Sequence, residues 1–240
     1  MSDCRFLNDR KELAHALESF VSRFDGESGE ALKMAMRWWS HYHGHCVFSL
    51  SKSPEILSQW RAYADDGRGL ALGFNERFLT SPWCGYKARL VDCVYENHEY
   101  FIDEIAESLA PRVDELAAVY KQCRKAANAY FDELRGVAFP IEDFFSEIMR
   151  IKNSAFIEEQ EVRLVVSPTF AETKTRVSSG IAIPYIEHEV WPSRNEGDLD
   201  VLIPEVVAGP RFDERNMMWL KSRRFLAWVE GIRTFECGYR

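Results

Sequence analysis

Apolar residues recur along this 240-residue chain at two different periods. Leu13, Leu17, Phe20, Val21 and Phe24 follow one another at helical spacing, which lays a single apolar stripe along a helix. Ahead of them, Asn8-Asp9-Arg10-Lys11-Glu12 offers Asp9 as a cap and Glu12 as the far half of a capping box. Leu32, Ala35, Met36 and Trp39 predict a second helix from about Ser28 to Tyr42, with Gly44 as its terminator. His45 to Leu50 reads as a strand. Ser53-Pro54-Glu55 predicts a third helix start, because serine caps and proline suits the first turn. Ile56, Leu57, Trp60 and Tyr63 then share one face, and Asp65-Asp66-Gly67 ends the helix.

Gly69 to Phe74 predicts a short buried strand, and Tyr86 to Tyr95 another that is valine-rich in its second half. From Glu96 to about Lys152 the pattern is helical, interrupted at Pro111 and again near Gly136 and Pro140. Strands follow at Glu161 to Ser167, Gly180 to Glu187 and Val201 to Ala208, then a helix from about Asp213 to Leu226. A final strand contains Thr234, Phe235 and Cys237, and the stretch from Trp191 to Asp198 is a polar, turn-rich loop. Strands on both sides of the helical block predict one α+β domain over 1–240, interrupted at about 96–152 by an all-helical insertion. Its sheet is expected to be mixed, mostly antiparallel and flanked by helices.

Composition narrows the function classes. With 46% hydrophobic residues the chain can bury one substantial core. A net charge of −8 argues against non-specific nucleic-acid binding through overall charge, which leaves a local basic groove open. No run approaches the roughly 20 apolar residues of a membrane span. Met1-Ser2-Asp3-Cys4-Arg5 also lacks the apolar segment of a signal peptide. The expectation is a cytoplasmic protein with no membrane contact. Six cysteines are scattered with no Cys-x-x-Cys pair, so reduced, mostly buried thiols are expected rather than a disulfide framework or zinc ribbon.

The candidate chemistry centres on Phe156 to Val166, where Glu159, Glu161 and Arg163 alternate. In a strand they would share one face while Val162 and Leu164 point into the core. Carboxylates two residues apart on a strand lie about 6 to 7 Å apart, so one can orient a substrate while the other stabilises developing positive charge. Arg163 can anchor a phosphate or neutralise the pair. A structural charge ladder and a site both fit the pattern.

Ser49 and Ser51 place two hydroxyls on one strand face, suited to a ribose or amide group, although Ser51 and Ser53 equally suit the following helix start. Trp60 and Tyr63 fit either a core pair or a stacking platform. His41, His43 and His45 alternate as metal ligands can, but the preceding helix would scatter them and no nearby carboxylate or cysteine completes a set. No metal is expected. His188 reads as a strand-end histidine or a proton-transfer group. Gly209-Pro210-Arg211 lets backbone approach a ligand closely, with Arg211 available to an anion. Asp65-Asp66 and Glu158-Glu159-x-Glu161 also offer oxygen ligands for a metal nuclease, without a catalytic lysine or histidine at a usual spacing.

Taken in order, Phe6-Leu7-Asn8-Asp9-x-x-Glu12, Phe48-Ser49, Trp60-x-x-Tyr63-Ala64 with Gly67 and Gly69, Phe156-x-x-Glu159-x-Glu161-x-Arg163, and Gly209-Pro210-Arg211 resemble an uncharacterised bacterial family. It is the domain of unknown function numbered twenty-nine seventy-one, and the resemblance runs from Phe6 to Arg240. It implies a protein of phage-defence or toxin-antitoxin loci. More distantly, the order of elements is similar to the ADP-ribosyltransferase fold, which implies a split sheet that clamps NAD as substrate.

On that resemblance Glu161 is the catalytic glutamate and Glu159 orients the acceptor, an unidentified protein or nucleic acid. Ser49 and Ser51 support the nicotinamide ribose, Tyr63 or Trp60 lies near the base, and Arg163 belongs to the same cofactor-binding set. The resemblance also implies a first strand with a Tyr-Lys-Tyr-like motif. None precedes Phe6, so no strand is expected there, and a non-catalytic binding or interaction protein on the same scaffold is the competing expectation.

Overall fold

A computed structural model describes residues 1–6, 10–42, 44–80, 88–123, 141–168, 172–188, 203–222 and 229–239. Over these the protein is α+β, with a mainly antiparallel six-stranded sheet and a small mixed one. The nine strands are β1 (Ser2–Asp3), β2 (Cys46–Ser51), β3 (Leu70–Gly73), β4 (Ala88–Asp92), β5 (Glu161–Val166), β6 (Lys174–Ser178), β7 (Ile181–Tyr185), β8 (Ile203–Ala208) and β9 (Val229–Thr234). The large sheet runs β4-β5-β2-β1-β7-β6 and the small one β3-β8-β9. The expected cap at Asp9, His43, the breaks near Gly136 and Pro140, and the loop Trp191 to Asp198 lie outside the described residues. Among the described residues no helix is long and apolar enough to cross a membrane.

The chain divides into two compact units. The first comprises Met1–Phe48, Val91–Ala155 and Val165–Glu187. Its core is helical: α1 (Arg10–Val21), α2 (Gly26–Tyr42), the long helix His98–Cys123 and the helix Ile141–Ile148. Phe20, Leu32, Ala35 and Met36 are buried as the helical spacing predicts, and the Phe20 and Phe144 ring centroids lie 4.4 Å apart. Each such fully buried side chain contributes about 1.5–3 kcal/mol.

Pro111 does not interrupt the helix His98–Cys123, which runs through it. Ile102, Ile105, Ala106, Leu109, Val113 and Leu116 form the buried stripe of that helix, whereas Pro111 and Glu107 are exposed. The carbonyl of Glu107, which the proline leaves without its helical donor, therefore faces water, and core packing outweighs the local cost.

A strand of two residues, β1, does precede Phe6, although it carries no Tyr-Lys-Tyr-like motif. Ser2 lies opposite Val47 and Tyr185, and Asp3 opposite Cys46, so two residues fill the gap between β2 and β7. Two residues carry no periodicity, which is why the pattern missed them. Asp3 is fully buried, and its carboxylate accepts from the Arg5 backbone N–H, Nε and Nη2 at 2.9, 2.9 and 2.6 Å.

The strand expected from Gly180 to Glu187 is β7, and β6, which the sequence pattern does not predict, pairs with it as a hairpin. Its two-residue connection, Ser179 and Gly180, has φ of 50° and 78°, the doubly positive geometry that matches strand twist. Cys4 and Cys46 are buried thiols, pushed up to about 12 and about 11 mainly by that burial. Cys237, however, is exposed.

The second unit comprises Ser49–Leu90, Phe156–Leu164 and His188–Arg240. Here β3 pairs antiparallel with β8 from Leu70↔Ala208 to Gly73↔Glu205. The β8 strand also pairs parallel with β9, and the helix Glu214–Ser222 supplies the crossover that a parallel pair requires. Val206, Val207 and Ala208 of the central strand are buried. The expected burial of β3 is not found: as an edge strand it leaves Leu70 and Leu72 37% and 48% exposed.

The third helix, α3 (Leu57–Tyr63), starts later than Ser53-Pro54-Glu55 suggested, with Ile56 at its N-cap and no side-chain cap bond. Ser53 Oγ instead accepts from the Glu55 N–H at 3.1 Å, a local serine turn that competes with the helix for the same hydroxyl. Asp65, Asp66 and Gly67 end α3 with φ of 46°, 53° and 83°.

Candidate functional site

The seven residues that the resemblance assigns to catalysis or NAD binding, Glu159, Glu161, Ser49, Ser51, Trp60, Tyr63 and Arg163, all lie in the second unit, but they divide into groups. Glu161 opens β5, and alternation places Arg163 on the same face, as expected. Both are 5% exposed. Arg163 Nε donates to Glu161 Oε1 at 2.9 Å and Nη2 to Oε2 at 3.4 Å, a forked pair that engages both carboxylate oxygens. Within unit two, Val162 and Leu164 are buried as well, so this stretch of strand has no solvent face.

Glu159 is not on that strand. It ends the 3₁₀ helix Ser154–Glu159, and Gln160, between it and β5, has a left-handed φ of 46°. The expected common face of Glu159, Glu161 and Arg163 is therefore a face of two residues. The left-handed residue resets the alternation, and nothing in the residue types around it signals that.

The serines meet backbone rather than carboxylate. Ser51 Oγ donates to the Glu159 carbonyl at 2.8 Å and to the Ser53 carbonyl at 3.1 Å, while the Lys52 N–H donates to the Gln160 carbonyl at 3.1 Å. Ser49 is exposed on β2.

Trp60 and Tyr63, expected on one face of α3, have opposite environments. Trp60 is buried at 3%, whereas Tyr63 is 70% exposed. Trp60 Nε1 donates to the Pro54 carbonyl at 2.7 Å, and its ring stacks on Phe235 with centroids 6.2 Å apart. That is a core role.

A second cluster joins residues that the sequence treated separately. At Gly209 an added Cβ would collide with the Gly67 carbonyl oxygen, lie 2.8 Å from the Gly67 carbonyl carbon and 3.0 Å from Trp60 Cε3. Gly209 donates to the Gly69 carbonyl at 3.0 Å, and Arg211 to the Gly67 carbonyl at 2.9 Å. This close backbone contact sets Arg211 against Asp66, whose Oδ2 accepts from Arg211 Nη1.

Tyr239 OH donates to the other Asp66 oxygen at 2.7 Å. The guanidiniums of Arg61 and Arg211 each lie 5.7 Å from the Tyr239 ring centroid, within cation–π range. The Asp66 carboxyl is held below the usual carboxylate range, first by the tyrosine hydroxyl and then by the arginines around it. Sequence reasoning found Gly209 and Arg211 but read Asp66 as a helix breaker and a candidate metal ligand, not as a partner of Arg211 and Tyr239. Arg61 and Tyr239 carried no local signal.

Among the described residues no group of three or more His, Cys, Asp or Glu can hold a metal ion. His45 is buried. Its Nε2 accepts from Trp39 Nε1 at 3.0 Å and its Nδ1 lies 3.0 Å from Ser167 Oγ. Since indole N–H only donates, the ring is the neutral tautomer with its proton on Nδ1, donating to Ser167. His188 is half-buried rather than exposed, with Nε2 at 3.1 Å from the Leu79 carbonyl.

Residues 59–164 match the model of a family described as a protein of unknown function (DUF2971). The matched stretch takes in Trp60, Tyr63, Gly67, Gly69, Glu159, Glu161 and Arg163, and Gly209-Pro210-Arg211 lie beyond it. The resemblance read from Phe6 to Arg240 is thus shown over its central part. No curated protein and no solved structure matches the chain.

Proposed function

We propose that the protein is a non-catalytic binding protein in which Glu161 serves the fold rather than chemistry. The observation that carries this reading is the buried Glu161–Arg163 pair. A glutamate that stabilises an oxocarbenium-like transition state must present a carboxylate oxygen to the substrate, whereas both oxygens of Glu161 face Arg163. Moving the guanidinium aside would separate two opposite charges that are both buried, at a cost their present contact avoids.

A second reading is an NAD-dependent ADP-ribosyltransferase-like effector of phage defence or a toxin-antitoxin system, modifying a protein or nucleic acid. The Ser51 hydroxyl bond to the Glu159 carbonyl supports it, because it holds a hydroxyl-bearing strand beside the Glu-x-Glu segment. In that reading Glu161 acts on the nicotinamide ribose, Glu159 orients the acceptor, and Ser49, Ser51, Tyr63, Trp60 and Arg163 surround NAD.

The two readings separate in one assay. NAD consumption by wild type and Glu161→Gln, with thermal unfolding of both, is expected to show no turnover by either and a lower melting temperature for the variant. Turnover by wild type that Glu161→Gln abolishes without change in melting temperature would overturn the binding reading.

A further inference from the structure

Three arginines, Arg61, Arg68 and Arg211, lie against two aspartates, Asp65 and Asp66, in a chain whose net charge is −8. Their contacts are unequal. Arg211 is ion-paired with Asp66, and Arg68 Nη1 donates to the Asp65 carbonyl at 3.3 Å and lies 4.0 Å from its carboxylate. Arg61 is exposed, and among the described residues it meets the Tyr239 ring without a hydrogen-bonded acceptor. A guanidinium offers five donors suited to phosphate oxygens. The cluster is therefore a locally cationic place with a flat ring and a carboxylate acceptor built into it.

Tyr239 is held there by little backbone. After β9, Phe235 is anchored by its N–H to the Ala208 carbonyl at 2.8 Å and by stacking on Trp60. Glu236, Cys237 and Gly238 are then exposed, and Gly238 takes a left-handed φ of 72°. Only at Tyr239 does the segment return, through one hydroxyl bond to Asp66 and two guanidinium contacts. Releasing Tyr239 leaves β9 and the Phe235–Trp60 stack intact.

We infer that Asp66, Arg61 and Arg211 form a nucleotide subsite that Tyr239 occupies as a built-in competitor. The ligand is a mononucleotide whose base carries an exocyclic amino group. The base takes the place of the phenol ring beside the two guanidiniums, its amino group donates to the Asp66 oxygen that now accepts from Tyr239, and its phosphate pairs with Arg61. Each group the ligand needs is already satisfied in kind by Tyr239, except the phosphate, for which Arg61 offers donors that meet no hydrogen-bond acceptor among the described residues. The inference rests on the reading of the protein as a binder, whose own test is NAD turnover and is scored separately.

Calorimetric titration of the full chain with AMP, IMP and adenosine tests it. Tyr239→Ala is expected to bind AMP at least about tenfold more tightly than wild type, because the competing ring and its bond to a charged acceptor are gone. In that background IMP, which lacks the amino donor, binds about tenfold more weakly than AMP, and adding Asp66→Asn narrows that gap. Adding Arg61→Ala weakens AMP by a larger factor than it weakens adenosine, which loses the ring contact but has no phosphate to lose.

Tyr239→Phe keeps the ring and loses the hydroxyl bond, so AMP affinity between the two is expected and serves if the alanine variant is poorly folded. Equal AMP affinity in wild type, Tyr239→Phe and Tyr239→Ala overturns the inference. So does an absence of binding by all three at millimolar AMP, or an affinity indifferent to the amino group.

Discussion

Two of the carboxylate–arginine pairs in the second unit look alike on paper and differ in surroundings. Glu161–Arg163 has side chains 6% and 6% exposed; Asp66–Arg211 has 41% for the acid and 27% for the base. The first is a neighbouring pair on one strand, and the second joins residues 145 apart. Burial makes the first pair obligatory, since each charge is costly without the other. Partial exposure leaves the second pair open to exchange, because water and ions can take over either partner. Chemical type alone therefore does not mark a site; the accessibility of the unshared lone pairs and donors does.

The sharpest way to break this contrast is to remove one member of the buried pair. Glu161→Ala takes from the buried Arg163 the carboxylate that its Nε meets at 2.9 Å, and a loss of about 3–5 kcal/mol is expected in urea unfolding. The double variant Glu161→Leu, Arg163→Met removes both charges at similar bulk and is expected to recover most of that loss. A Glu161→Ala cost below 1 kcal/mol would mean that water reaches the pair, and the distinction drawn here would collapse.

A smaller effect is expected from Gly209→Ala, which tests the ground beneath the exposed pair. The new methyl has backbone of Gly67 on one side and Trp60 on the other, and neither yields without shifting the turn that carries Asp66. A cost of about 1–3 kcal/mol is expected, in line with overpacking of a well-filled interior, measured by thermal unfolding. Asp66→Ala, in contrast, touches only the partly exposed pair and is expected to change the melting temperature less than Gly209→Ala.

The same contrast explains how far the sequence could be read. The stripe of α2 and the Val162 and Leu164 positions of β5 follow from local periodicity, because core burial imposes the period directly. Glu161 and Arg163 were paired correctly by alternation. Glu159 was not, since the left-handed Gln160 changes phase between two elements, and a non-glycine residue there has no distinctive pattern. Pro111 misled because its local penalty was read without knowing that it sits on the solvent side of a long buried stripe. The Asp66–Tyr239 contact spans 173 residues, so no window along the chain contains both partners.

The finest test concerns the hydroxyl of Tyr239. Its bond is the first cause of the lowered Asp66 carboxyl, with Arg211, Arg68 and Arg61 adding smaller shares. A carboxyl depressed in the folded state contributes stability that is present above its unfolded value near 3.8 and is lost as pH falls through the folded value. The Asp66 contacts should therefore survive acidification past pH 3.8 and open below it. In Tyr239→Phe the arginines remain while the main cause is gone, so the Asp66 side-chain titration followed by NMR should move upward toward the ordinary aspartate range. If it does not move, the arginines alone hold the carboxylate, and Tyr239 is a bystander at a pair that differs from Glu161–Arg163 only in exposure.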